Sequence, residues 1–209
     1  MKPIRIIIMA KEPQPGRAKT RLIPALGAQD AAALADRLFR RAVQQALAAK
    51  LGPVELHITP APSSPYWRKL PEAKRCELFS QVPGDLGARM SAAARNGLSQ
   101  GSAVLIMGTD CPDLDAKQLQ SMAQSLQTHD SCLCPVTDGG YALIGLQQFS
   151  ETLFTEIPWS TAQVAPITRD RLNALDWSCH ESEFLNDVDE PEDLARLAKY
   201  YPELISPKG

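Results

Sequence analysis

The sequence predicts an α/β protein in which a mainly parallel sheet lies between two layers of helices. Three observations predict it. Short apolar runs alternate with segments of helical periodicity along most of the chain. The runs at residues 4–10 and 103–107 show no polar alternation, as expected of strands covered on both faces. Each of these runs leads within three residues to a charged residue, Lys11 after the first and Asp110 after the second, which is where open α/β sheets bind ligands.

With 209 residues the chain suffices for one sizeable core, and a single domain over residues 1–209 is expected. Its 44% hydrophobic and 22% charged content is ordinary for a globular protein. No apolar run approaches the roughly 20 residues that cross a bilayer, so no membrane span is expected. The opening MKPIRIIIMAKEP has a basic start and a short apolar segment, but PGRAKTRL follows where a small-residue cleavage site would belong. It reads as a first strand, and a cytoplasmic location is expected. A net charge of −2 gives no support to binding of a nucleic-acid polymer. Five cysteines without a C-x-x-C pair argue against a disulfide framework and a structural zinc site, and Cys132 and Cys134 read as buried thiols on one side of a strand.

Taken in order, residues 4–10 read as the first strand and residues 11–27 as a loop with four cations, Lys11, Arg17, Lys19 and Arg21, against the single acid Glu12. Leu34, Leu38, Phe39, Ala42, Val43, Ala46 and Leu47 predict a helix over about 29–50, ended by Gly52 and Pro53. Strands follow at 54–59 and 77–81, separated by a Pro- and Ser-rich stretch with at most a short helix. A helix is expected over 85–98 and a buried strand over 103–107. Asp115 is a candidate cap, with Gln118 three residues on, for a helix carrying Leu119, Met122, Ala123 and Leu126. Residues 131–136 and 141–146 read as strands around a Thr-Asp-Gly-Gly break, and 151–154 as a short helical turn. A helix over 161–175 must accommodate Pro166, and a last strand over 177–182 precedes a last helix over 191–200.

Four groups carry candidate chemistry. The loop from Pro15 to Arg21 follows the first strand and can offer backbone N–H groups and cations to phosphates, although it matches neither a Walker A loop nor a dinucleotide fingerprint. Asp110 stands at the end of the central strand, where Pro112 stops further pairing; a carboxylate there suits a hard divalent cation held against phosphate oxygens. Asp113 reads better as a turn residue beside Pro112. Asp138-Gly139-Gly140-Tyr141 reads as a hairpin turn, and equally as a place where glycines let a substrate approach the backbone. In Asp187-Val188-Asp189-Glu190-Pro191, Asp189 fits a helix cap, and either Asp187 or Asp189 fits a second metal carboxylate. His57, His129 and His180 lie apart and read as structural or surface residues.

In this order MAKEPQPGRAKTRL, QVPGDLGARM, GTDCPDL, DGGYALIGL, IPWST and DVDEPEDL resemble the motifs of an uncharacterised bacterial family of GT-A-like transferases. Its members are often named as glycosyltransferases associated with radical-SAM and selenodomain proteins. The family is related to the nucleotidyltransferases that make molybdenum-cofactor dinucleotides and to 2-phospho-lactate guanylyltransferase. The resemblance implies a GT-A three-layer sandwich and a metal-dependent nucleotidyl- or glycosyltransferase. Its ligands would be a nucleoside triphosphate or nucleotide sugar, a small acceptor, and Mg²⁺ or Mn²⁺. It implies catalytic roles for Arg17, Lys19 and Asp110, and nucleotide contacts from Lys11, Gly16, Arg17, Lys19, Arg21, Gly84 and Asp85. Acceptor contacts would come from Asp138, Gly139, Gly140, Tyr141, Trp159, Ser160 and Thr161, and the metal ligands would be Asp110 and Asp189. The related nucleotidyltransferases have a more Gly-rich first loop where Pro13, Pro15 and Gly16 stand here, which leaves the transferred group open. The residues are also compatible with a nucleotide-binding regulatory protein without turnover and, more weakly, with an aspartyl phosphatase using Asp110.

Overall fold

The strands with the least polar sequence occupy the middle of the sheet. Residues 2–205 are described by the computed structural model of the chain. In it β1 (Ile4–Lys11) pairs in parallel with β4 (Ala103–Met107) on one side and with β2 (Val54–Thr59) on the other. Outward from β2 lies β3 (Glu77–Ser80), and beyond β4 come β6 (Tyr141–Leu146), β5 (Ser131–Pro135) and β7 (Cys179–Glu181). The order is β3-β2-β1-β4-β6-β5-β7, and only β6 runs against the rest. The mainly parallel sheet expected from the sequence is present.

Alternation along each strand sends side chains to two different cores. Ile4, Ile6, Ile8 and Ala10 join Leu105 and Met107 on one face. They pack there against Phe39, Ala42, Val43 and Ala46 of α1 (Ile23–Ala49) and Leu119, Met122 and Ala123 of α4 (Ala116–Ser125). Before α4, the chain forms α2 (Pro65–Lys69) and α3 (Leu86–Ser99). Ile7, Val104 and Ile106 face the opposite way, onto Met90, Ala93 and Ala94 of α3 and Leu172 of α5 (Val164–Ala174). Burial on both faces is why these strands read as uninterrupted apolar runs. Cys132 and Cys134 are free thiols buried in the first core.

The far side of α1 forms a third cluster with α6 (Asp193–Tyr200) and α7 (Pro202–Ile205), through Leu34, Leu38, Leu197 and Leu204. No helix among the described residues is long and apolar enough to cross a membrane.

Element boundaries depart from the sequence expectation where proline and glycine behave locally. The α1 segment begins at Ile23 with Pro24 in its first turn, but Gly27, at φ 79° and ψ 160°, is not helical, so a short first helical turn and the long helix after it meet there at a kink. The apolar periodicity starts only after that kink, so the sequence shows the second part alone. Helix α5 starts at Val164 and places Pro166 in its first turn, where a missing N–H leaves no bond unmade. Helix α7 is four residues long, too short to show a period.

Candidate active site

The chain runs from β1 outward to β2 and β3, then returns to place β4 on the other side of β1. This reversal opens a crevice beyond the C-terminal ends of β1 and β4. Two sequence motifs are delivered to it, the basic loop that follows Lys11 and the Gly108-Thr109-Asp110 bend that follows Met107. A cleft of about 510 Å³ lies there, lined among others by Lys11, Arg17, Lys19, Arg21, Asp110, Asp187 and Asp189.

The basic loop is shaped by two left-handed residues, Gly16 at φ 77° and Lys19 at φ 47°. Gly16 turns the chain where any Cβ would be strained, and Arg17 and Ala18 both donate their N–H to Gln14 O at 3.0 Å. Lys19 then directs its side chain inward, with only 5% of it exposed. Its ammonium donates to three oxygens: Asp110 Oδ1 at 2.5 Å, Asp189 Oδ1 at 2.7 Å and the Val188 carbonyl at 2.6 Å. An ammonium has three donors, so this group is fully committed. Burial alone would lower the Lys19 pKa, but the two carboxylates outweigh it and hold the pKa above its ordinary value. The same contact fastens three parts of the chain together, because Val188 N donates to Asp110 O at 3.0 Å and Arg21 pairs with Glu190 at 3.0 Å.

The role expected of Lys19, contact with substrate phosphates, therefore differs from the contact it makes. It sits between the two expected metal carboxylates as a positively charged stand-in. Two carboxylate oxygens converging on one cation match the donor set magnesium takes from protein, one or two carboxylates with the rest supplied by water and phosphate. The residues present fit a divalent cation in this sense. Among the described residues no group of three or more His, Cys, Asp and Glu side chains surrounds a single point.

Asp189 does not cap the last helix. The cap position is Glu192, which makes no side-chain cap bond; the Asp193 carboxylate instead fixes the chain before α6, its Oδ2 accepting from Asp189 N at 2.9 Å and Glu190 N at 2.8 Å, and the Asp189 carboxylate faces Lys19. Asp187 also faces the cleft. Burial, followed by the charges of Asp138 and Asp189, pushes its pKa up to about 6.

Asp113 is more than a turn residue. It accepts from Arg196 at 2.6 Å, from Tyr201 Oη at 2.7 Å, and from Asn186 through its N–H at 3.1 Å and its side chain at 3.2 Å. These bonds tie the turn after β4 to α6 and to the segment that carries Asp187 and Asp189.

Of the expected acceptor residues, Asp138, Gly140, Tyr141, Trp159, Ser160 and Thr161 line the cleft. Gly139 does not, because its backbone is taken up by the loop before α5: a Cβ on it would stand 2.5 Å from Ala162 Cα, and its carbonyl accepts from Ala165 N at 2.9 Å. The Asp138-Gly139-Gly140 turn and the Trp159-Ser160-Thr161 loop are thus built against each other. The Tyr141 hydroxyl is buried without a hydrogen-bond partner among the described residues, and burial raises its pKa; nearby Thr168 already donates to Val164 O.

Gly16, Gly84 and Asp85 also lie outside the lining. Asp85 caps α3, its Oδ1 accepting from Ala88 N at 2.8 Å. What reaches the cleft from that motif is the apolar pair Leu86 and Met90, one turn apart on α3, which with Met9 and Trp159 gives the cleft apolar lining. Sequence reading missed this lining, since residues four apart on a helix look like core. Trp159 holds its place by packing on Gly87, where a Cβ would meet Trp159 Nε1 at 2.7 Å and Phe154 O at 2.0 Å.

A three-layer sandwich with a charged crevice at the β1/β4 switch point defines the class: a protein of GT-A-like fold, the fold seen also in a structure named for nucleotide-diphospho-sugar transfer. The chain belongs to the bacterial family described as "Uncharacterized protein conserved in bacteria (DUF2064)", which matches residues 26–161. It is similar to a crystal structure from Desulfovibrio desulfuricans G20, provisionally named a nucleotide-diphospho-sugar transferase, with 28% identity and a TM-score of 0.86 over 99% of this chain and 92% of that one. The fold is shared with a cytidylyltransferase from Leptospira borgpetersenii at 15% identity and TM-score 0.62, over 100% of this chain and 99% of that one. It is shared also with Rv0371c of Mycobacterium tuberculosis H37Rv, solved in complex with manganese, at 16% identity and TM-score 0.56 over 96% and 100% of the two chains. No curated protein matches the chain in sequence.

Proposed function

We propose that this protein is a metal-dependent transferase that takes a nucleoside triphosphate or a nucleotide sugar as donor and passes a nucleotidyl or glycosyl group to a small acceptor. The observation that carries this reading is the convergence of Asp110 and Asp189 on one cation at the switch-point crevice. The fold it shares with two proteins named as transferases, and with Rv0371c, which is solved with manganese, supports the same class.

In this reading Asp110 and Asp189 hold Mg²⁺ or Mn²⁺, which supplies charge neutralisation at the donor phosphates. Arg17 and Lys11 are exposed, line the cleft and make no ion pair among the described residues, so they are available to draw those phosphates in. Lys19 and Arg21 add positive charge on the same side. Leu86, Met90 and Trp159 offer an apolar surface for a base or sugar ring, and Asp138, Ser160 and Thr161 flank the space left for the acceptor. The protein's part is mainly to position the reactants and balance their charge.

The test is a thermal-shift panel of ribonucleoside triphosphates and UDP- and GDP-sugars, with and without Mn²⁺. A ligand that binds only the folded state raises the melting temperature. At least one donor is expected to do so only with metal, and a panel without any metal-dependent shift would refute the reading. Release of pyrophosphate or nucleoside diphosphate from that donor then separates a transferase from a nucleotide-binding regulator.

A further inference from the structure

We propose that Lys19 is a resident cation that occupies the metal position of the free protein and must be displaced before a divalent ion can bind. The inference rests on the metal site proposed above and concerns what guards it. All three ammonium donors are used, two of them on the carboxylates to which the metal is assigned and the third on Val188 O. The side chain is almost wholly buried, in contrast to Arg17 and Lys11, which stand exposed on the same loop and its approach. A non-glycine residue at φ 47° and ψ 49° is uncommon, and here it aims that side chain at the acids.

Charge accounts for the arrangement. Asp110, Asp138, Asp187 and Asp189 all line one cleft, and without a cation between Asp110 and Asp189 their mutual repulsion would open it. Lys19 supplies that cation from within the chain. Its nitrogen lies 2.5 and 2.7 Å from oxygens that a magnesium ion would take at about 2.0–2.1 Å, so both cations cannot occupy the position at once. Binding of the metal therefore releases the ammonium. It is carried on the loop beside Arg17, and once freed it adds a positive charge to the side of the cleft where phosphates are expected. The phosphate role that the sequence suggests for Lys19 and the acid contact that the structure shows are two positions of one side chain.

Such a device lowers the apparent metal affinity of the free protein by the fraction of time the position is open. It also couples the metal to the phosphates, because each favours the released lysine. Arg21 pairs with Glu190 rather than with Asp110 or Asp189, so it carries a nearby positive charge without occupying the position.

The test is Mn²⁺ alone, titrated into nucleotide-free protein and followed by the electron paramagnetic resonance signal of free Mn²⁺. Lys19→Gln is expected to bind Mn²⁺ at least about tenfold more tightly than wild type, while Arg21→Gln changes affinity by less than about threefold. Equal affinities of wild type and Lys19→Gln would overturn the lock while leaving the metal site standing. Absence of Mn²⁺ binding in all three proteins would remove the metal site and the lock together. Circular dichroism checks the fold of Lys19→Gln, with Lys19→Met as the second variant. Wild-type protein carrying ¹⁵N-lysine gives an independent readout: one slowly exchanging ammonium signal is expected without metal and is lost on adding millimolar Mg²⁺. Its persistence in protein shown to bind Mg²⁺ would overturn the proposal.

Discussion

Lys19 and Asp189 are 170 positions apart in the chain and 2.7 Å apart in space. The contact joins the loop after β1 to the segment before α6, and the buried ammonium gives it weight. A double-mutant cycle of Lys19→Met with Asp189→Ala is expected to return a coupling of about 1–3 kcal/mol in urea unfolding. Additive effects would mean that the contact carries no energy.

Gly139→Ala tests whether the two acceptor-side loops are built against each other. Its φ is 91°, and the new Cβ would lie 2.5 Å from both Cα and O of Ala162, which are backbone atoms that cannot swing away. A loss of about 2–4 kcal/mol is expected from strain and overlap together. Gly140→Ala is the control, because its Cβ would meet side chains and no backbone, Asp138 at 3.2 Å and Val136 at 3.6 Å, and a loss under about 1 kcal/mol is expected there. Equal losses in chemical unfolding would contradict the packing described.

Acid sensitivity should report on Asp113. Burial pushes its pKa up, but the hydrogen bonds from Arg196, Tyr201 and Asn186 together outweigh it and leave the pKa below the ordinary carboxylate value. The unfolded chain therefore takes up the proton first as pH falls. The stabilisation is present above the unfolded value of about 3.9 and is lost as pH drops through the folded value. Asp113→Asn is expected to lower stability near neutral pH and to make its acid dependence shallower. An unchanged slope below about pH 4 in pH-dependent urea unfolding would count against the network.

Asp187 should act in the opposite direction. Its pKa of about 6 lies above the unfolded value, so the folded chain holds this proton more tightly and stability falls as pH rises between about 4 and 6. The group is only partly buried, so solvent screens part of this effect, and Asp187→Asn is expected to raise stability at pH 7 by about 1–2 kcal/mol. The gain should vanish near pH 4. A destabilised variant at pH 7 would show that the carboxylate is not under repulsion.

Particular residues show why the sheet was legible in the sequence and part of the cleft was not. Strands β1 and β4 are buried on both faces, so their apolar runs announce them, and Asp110 is conspicuous because it follows one of them. Asp85 and Asp115 obey the local rules for caps, accepting from the N–H three residues on. The Lys19 contact obeys no local rule. Four cations stand between Lys11 and Arg21, and only the left-handed turn at Lys19 selects the one that meets the acids. Asp113 looked like a turn because its partners lie 73 to 88 positions away. Leu86 and Met90 were hidden for the opposite reason: their spacing is that of an ordinary buried stripe, and only the position of the α3 N-terminus brings them to the cleft.

The most direct test of the central claim is calorimetric titration of ribonucleoside triphosphates and UDP-glucose into wild type and Asp110→Ala, each with and without Mn²⁺. Wild type is expected to bind one of these ligands far more tightly with Mn²⁺, and Asp110→Ala to lose that metal-dependent part while keeping its circular dichroism spectrum. An isotherm unchanged by Asp110→Ala in the presence of Mn²⁺ would contradict the assignment of this carboxylate to the metal.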